Sequence, residues 1–220
     1  MIDLLVATSN PHKLEEICAI LEPHGVRAIG LRDVSLEDGQ PAATLTEPVE
    51  DANTFEGNAA IKARYYAAKT GRPCLADDSG LEVDALDGAP GVLSARYAGA
   101  DGDRPVRDGA NNAKLLRDLV DVPKEKRTAR FVCAMCLAAP DGSILATSRG
   151  DFEGVITNAP RGDNGFGYDP LLELPDGRTS AELPPEEKNA RSHRGAATKQ
   201  IAPLVVTQCS WIDPRDCSEE

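Results

Sequence analysis

Residues 2–21 read IDLLVATSNPHKLEEICAIL, and the fold is decided by this stretch. Ile2 to Ala7 is a short apolar run, the pattern of a buried strand. Ser9 or Asn10 can cap a helix that starts here. Pro11 suits its first position, where a backbone N–H would have no partner anyway. Leu14, Ile17, Cys18 and Leu21 then recur at helical spacing, and Gly25 ends the helix. Strand, tight loop and helix follow one another within the first 25 residues.

Outward from this unit the pattern continues. Residues 30–53 are rich in Asp, Glu, Pro and Thr and read as an irregular loop with at most one short strand. Thr54 can cap a second helix to about Lys69, with Ala59, Ala63, Tyr66 and Ala67 on its apolar side. Pro73–Ala76 and Leu81–Leu86 read as two strands joined by a turn at Asp77-Asp78-Ser79-Gly80. Gly88–Gly102 reads as a loop and Asn111–Val120 as a helix. Arg130–Ala139 and Ser143–Gly150 read as a hairpin closed at Asp141-Gly142. A glycine-rich loop over residues 158–170 is followed by helices over Glu186–Ser192 and Ala196–Val206. Helices alternating with strands, then a hairpin, predict an α/β fold with a mixed sheet.

Composition narrows the function. The 220 residues hold 41% hydrophobic and 27% charged residues, ordinary for a globular enzyme with one sizeable core. The net charge of -12 would repel a polyanion, so nucleic acid is not an expected partner. A small anion remains possible where cations cluster. No apolar run approaches the roughly 20 residues of a membrane span, and the N-terminus has no basic leader, so a cytoplasmic location is expected. Cys18, Cys74, Cys133, Cys136, Cys209 and Cys217 are then expected to stay reduced. Cys133 and Cys136 form a CxxC in a strand-like run, where positions three apart face opposite sides and share a metal poorly.

Five segments carry chemistry. In Thr8-Ser9-Asn10-Pro11-His12-Lys13, free N–H groups at a helix start and the Lys13 charge can attract phosphate, although an ordinary capped helix has the same look. Asp77-Asp78-Ser79-Gly80 sets two carboxylates in apolar surroundings. They suit a hard divalent ion such as Mg²⁺, or a solvated turn. Glu50 could add an oxygen ligand or be a loop acid. Lys62 lies four residues after Asn58, on the same helix face. Asn164-Gly165-Phe166-Gly167-Tyr168-Asp169-Pro170 pairs an aromatic ring, able to stack on a purine, with flanking glycines that permit close approach. Lys188, Ser192, His193 and Arg194 gather cations that could bind phosphate or simply dress a helix end.

Taken in order, these segments resemble the inosine triphosphate pyrophosphatase family. The resemblance is carried by LLVATSNPHKLEEI (4–17), TFEGNAAIKA (54–63), CLADDSGLEVDALDGAPGVLSARYAG (74–99), GDNGFGYDPL (162–171) and ELPPEEKNARSHRGAA (182–197). It runs from about Leu4 to Leu204.

The resemblance implies an elongated mixed sheet flanked by helices, with two lobes and a central substrate cleft. It implies one such domain over residues 1–207, with a polar tail over 208–220, and a homodimer. The implied activity is Mg²⁺-dependent cleavage of ITP, dITP and XTP to monophosphate and pyrophosphate. It implies that residues Thr8, Ser9, Asn10, Pro11, His12 and Lys13 meet the triphosphate, with Lys62 on phosphate and Ser79 against the substrate. Glu50 and Asp78 would hold the metal with Asp77 in support, and Asp78 would serve as the base toward water. Phe166, Gly167, Tyr168 and Asp169 would hold base and sugar, and Lys188, His193 and Arg194 would complete the pocket.

Two departures stand out. The family usually has Phe-x-Glu-Asn-Ala where this chain has Phe55-Glu56-Gly57-Asn58-Ala59. The loop before it aligns loosely, which leaves Glu47 and Asp51 as rivals to Glu50. Modified pyrimidine triphosphates are the alternative substrate class, and a catalytically silent nucleotide binder is the alternative role.

Overall fold

The computed structural model describes residues 1–36 and 38–209, and of His12 the backbone alone. Six strands form one sheet: β1 Ile2–Val6, β2 Val26–Gly30, β3 Cys74–Val83, β4 Thr128–Ala138, β5 Ile144–Ile156 and β6 Leu172–Glu173. Their order is β2-β1-β3-β4-β5-β6. β1 pairs parallel with β2 and with β3, whereas β5 and β6 are antiparallel, so the sheet is mixed as expected. The helices are α1 Pro11–Leu21, α2 Phe55–Thr70, α3 Arg104–Asp118, α4 Pro185–Arg191 and α5 His193–Cys209.

Local chemistry fixes the helix ends. The Thr54 hydroxyl accepts from the Gly57 N–H at 3.1 Å to start α2, and left-handed Gly71 closes it. Asp103 caps α3 by accepting from the Val106 N–H, and Pro105 sits in the first turn. This cap starts α3 seven residues before the expected Asn111.

The chain divides into two compact units. Among the described residues, the first comprises Met1–Asp78, Cys133–Gly150 and residues 194–209. Here strand alternation sorts side chains onto two faces. Leu4, Val6, Leu75, Cys133, Met135 and Leu137 pack with α1 and α5 through Ile17, Leu21, Ala197, Ile201 and Val205. Leu5, Ala7, Cys74, Ala76, Cys136 and Ala138 pack with α2 through Ala59, Ala63, Tyr66 and Ala67. Cys133 and Cys136 thus lie in different cores, both as free thiols. The second unit comprises Ser79–Val132 and Asp151–His193. Its core joins Leu81, Val83, Phe131, Phe152 and Ile156 to Leu115 of α3, to Leu119 just past its end, and to Tyr168, Leu171 and Leu172.

Several sequence expectations are corrected. Asp77-Asp78-Ser79-Gly80 is no turn between two strands, because β3 runs unbroken through it. Turn-forming side chains favour a turn only while they lack other partners. Here Lys13 pairs with Asp77 and Asn58 donates to Asp78. The short strand β2 went unforeseen: its Arg27 and half-buried Ala28 and Ile29 give no clear alternation. β5 continues six residues past the expected Gly150, and α5 begins at His193 and ends at Cys209 rather than spanning Ala196–Val206. The expected polar tail therefore starts in the last turn of α5, and its remainder, residues 210–220, lies outside the described residues.

Candidate active site

In the first unit, β3 delivers Asp77 and Asp78 to opposite faces of the sheet. Asp77 is 2% exposed. Lys13, from the first turn of α1, reaches its Oδ2 at 2.8 Å. Arg194, at the start of α5, lies 3.5 Å from the same oxygen and also donates to Glu16 at 2.8 Å. Burial alone would raise the Asp77 pKa. Lys13, Arg194 and Lys62 outweigh it and hold the carboxyl far below the usual range. Asp77 is an anchor whose charged form these cations favour.

Asp78 is only half-buried and faces α2. Asn58 donates to its Oδ2 at 3.1 Å. Burial is the main influence and raises its pKa, with nearby Glu50 pushing the same way against Lys62 and the Asn58 hydrogen bond. One turn along α2, Lys62 donates to the Asp77 carbonyl at 2.9 Å and pairs with Glu50 at 3.0 Å. Burial opposes the Lys62 charge, but Asp77, Glu50 and Asp78 more than restore it and raise its pKa. Glu47 and Asp51 are exposed, and of the three loop acids Glu50 is the one that pairs with Lys62. Thr8 accepts from the Asn10 N–H at 3.2 Å, ordering the loop ahead of α1. Ser9 and Pro11 are exposed, and the His12 side chain lies outside the described residues.

In the second unit, the expected aromatic loop is built around Asp169, which is 3% exposed. Its carboxylate accepts from the Phe166 N–H at 2.8 Å, the Ser180 hydroxyl at 2.8 Å and Lys188 at 2.5 Å. The Phe166 ring is half-exposed, with the Arg104 guanidinium 4.1 Å and the Lys188 ammonium 5.1 Å from its centroid. Tyr168 turns into the core and donates to the Ser94 carbonyl at 2.8 Å. His193 is buried, its ring 5.3 Å from that of Phe131. Ser79, the first residue of this unit, is half-buried on β3.

A family model described as the Ham1 family matches residues 4–204. The chain belongs to the Ham1 family. Among its relatives is a protein of Nocardia farcinica named "dITP/XTP pyrophosphatase", 50% identical over 94% of this chain and 96% of that protein. Another of the same name, from Geobacter sulfurreducens, is 52% identical over 90% of this chain and 93% of its own. A solved structure of a HAM1 protein from Coxiella burnetii superposes with a TM-score of 0.81, at 38% identity, over 94% of this chain and all of that one.

Ham1 membership puts the departures from the expected pattern in context. The glutamate displaced to position 56 pairs with Arg149 at 3.0 Å. Gly57, in the place where glutamate is usual, abuts Ala52, so a Cβ there would collide with the Ala52 methyl. Asn58, Glu16 and Arg104 went unread as site residues in the sequence. Asn58 had a signal, its spacing from Lys62. Glu16 had none, since its partner Arg194 lies 178 residues away.

Gly165 sits at φ +78°, and a Cβ there would strike the Asp169 carboxylate and lie 2.9 Å from Lys188 Nζ. Gly165→Ala is therefore expected to lower stability by about 1–3 kcal/mol. The urea midpoint should fall accordingly, and a midpoint equal to wild type would contradict the close approach of these groups.

Proposed function

We propose that this chain hydrolyses ITP, dITP and XTP between the α- and β-phosphates, releasing a nucleoside monophosphate and pyrophosphate. The observation that carries the reading is the pairing of an ionised Asp77 anchor with a half-buried Asp78 beside Lys13 and Lys62. The names of relatives about half identical over nine-tenths or more of both chains support it.

In this mechanism Lys13 and the loop Thr8–Lys13 bind the triphosphate, with the backbone N–H groups at the start of α1 assisting. Lys62 sits against phosphate and stabilises the charge that develops there. Asp78 orients a water and accepts its proton as oxygen attacks phosphorus. The bond from that phosphorus to the bridging oxygen breaks, and pyrophosphate departs with the bond's electron pair. Phe166 stacks on the base, a contact worth roughly 1–3 kcal/mol. Lys188, His193 and Arg194 serve the base and phosphate, with Gly167, Tyr168 and Asp169 shaping the loop.

No group of three or more His, Cys, Asp or Glu gathers as a metal cage among the described residues. Glu50 and Asp78 are two hard oxygen donors close enough to repel each other, and that fits Mg²⁺, which commonly takes one or two carboxylates with phosphate oxygens. Bound there, Mg²⁺ would neutralise phosphate charge and acidify water. Selectivity would rest on donors meeting the 6-oxo group, which adenine's amino group cannot satisfy. The same reading makes residues 1–207 a single functional domain of a cytoplasmic homodimer, with neither nucleic acid nor membrane as partner. No described helix is long and apolar enough to cross a membrane.

The test is a panel of ITP, XTP, dITP, dUTP, methylated dTTP, ATP and GTP. Pyrophosphate release should favour the first three by at least about 100-fold in kcat/KM. Equal turnover of ATP or GTP would overturn the substrate assignment, and preference for dUTP or methylated dTTP would favour the pyrimidine alternative.

A further inference from the structure

Phe166 stands between two glycines in left-handed conformation, Gly165 at φ +78° and Gly167 at φ +62°. Such a loop has little intrinsic stiffness, and its glycines offer no side chains to anchor it. The ring's position therefore depends on what holds the adjoining peptide groups. Asp169 holds the Phe166 N–H. The polar groups of Gly167 are both held by α3. Asp108 Oδ2 accepts from the Gly167 N–H at 2.8 Å, and Asn112 Nδ2 donates to the Gly167 carbonyl at 3.0 Å. Arg104 belongs to the same stripe, lies over the Phe166 ring and pairs with Asp108 at 3.8 Å. The spacing 104, 108, 112 puts all three on one face of the helix.

Asn112 carries a further mark. Its Oδ1 is buried with no hydrogen-bond partner among the described residues. An orphaned buried acceptor is unfavourable, and an apolar residue at this position would remove the cost. Among the described residues the Asn112 side chain makes one hydrogen bond, its donation to Gly167. That donation is what the amide contributes here.

We propose that Asp108 and Asn112 are positioning residues for nucleobase recognition, clamping Gly167 so that the Phe166 ring is preset for stacking, with Arg104 covering the ring. The inference rests on the reading of Phe166 as the base platform. Both residues bond the backbone of Gly167, beside the proposed base platform and not among the residues assigned to phosphate, so the clamp should act on the base and leave the pyrophosphate portion alone. Loosening it removes binding shared by ground and transition states, which raises KM and spares kcat.

The experiment compares wild type with Asp108→Ala, Asp108→Asn and Asn112→Asp in the full chain. Asn at 108 keeps an acceptor for the Gly167 N–H, whereas Asp at 112 loses the donor and sets a carboxylate against a carbonyl. Asp108→Ala and Asn112→Asp should raise KM for ITP about tenfold, with kcat within about twofold of wild type. Asp108→Asn should recover most of the loss. The inhibition constant for inorganic pyrophosphate, which has no base, should stay within about twofold in all three. Unchanged KM values, or a pyrophosphate constant that weakens in step with KM, would overturn the clamp. If one variant fails to fold, the other position still decides. Should wild type itself release no pyrophosphate from ITP, the functional reading falls and takes the clamp with it. Failure of the clamp alone shows as active variants that keep the wild-type KM.

Discussion

Asp78→Asn should lower pyrophosphate release by about 100- to 10,000-fold while leaving the fold as stable as wild type. The substitution keeps the side chain's shape and an oxygen able to accept from Asn58. It removes the group that would take a proton from water and one of the two carboxylates suited to a divalent ion. Stability should hold because this carboxylate is not one the fold favours in its charged form. Burial and the neighbouring Glu50 both raise its pKa, so a neutral amide relieves a cost. Single-turnover assays and a thermal melt on the same sample check both halves. Retained turnover would remove Asp78 from the reaction, and a large fall in melting temperature would recast it as a structural acid.

Asp77→Asn should differ in its effect on the fold, with a stability loss of about 3–5 kcal/mol and unfolding at markedly lower urea. Asp77 is nearly sealed from solvent and holds Lys13 at 2.8 Å and Arg194 at 3.5 Å. A neutral amide takes a carboxylate charge from beside the buried Arg194, which also donates to Glu16, and leaves Lys13 without the carboxylate it pairs with. Activity should fall as well, because Lys13 and the loop before α1 lose their anchor. A urea midpoint equal to that of wild type would show that these cations are held by something other than Asp77. Two adjacent residues of one type thus share an expected loss of activity but part in stability, and the pair of measurements tests the account more sharply than either alone.

Much of this arrangement is legible along the chain, for identifiable reasons. The unit from Ile2 to Leu21 is local: its strand, Pro11 and helical spacing all act within a few residues, so its boundaries emerge almost unchanged. The segments around Lys13, Asp77, Lys62, Phe166 and Lys188 announce themselves because they bunch cations, acids or glycines. Distant partners hide the rest. The DDSG segment has the chemistry of a turn, and only the arrival of α1, α2 and α5 makes it strand. Glu16 reads as one more exposed helix acid until Arg194 is placed beside it. Arg104, Asp108 and Asn112 are polar, so hydrophobic periodicity does not mark them, and the contacts of Asp108 and Asn112 are with the backbone of a loop 55 or more residues away.

Alternation along β3 constrains how this chain can drift. Loss of one residue between Cys74 and Ala76 would turn Asp78 toward Lys13 and Arg194 and bring Ser79, which has no carboxylate, to the place facing α2. No single substitution elsewhere in the strand reverses that exchange. Leu75 can become another aliphatic residue at modest cost, but the count of residues leading to Asp77 cannot change by one. In descendants of this chain, insertions and deletions should accumulate in the loops and be purged from these few positions.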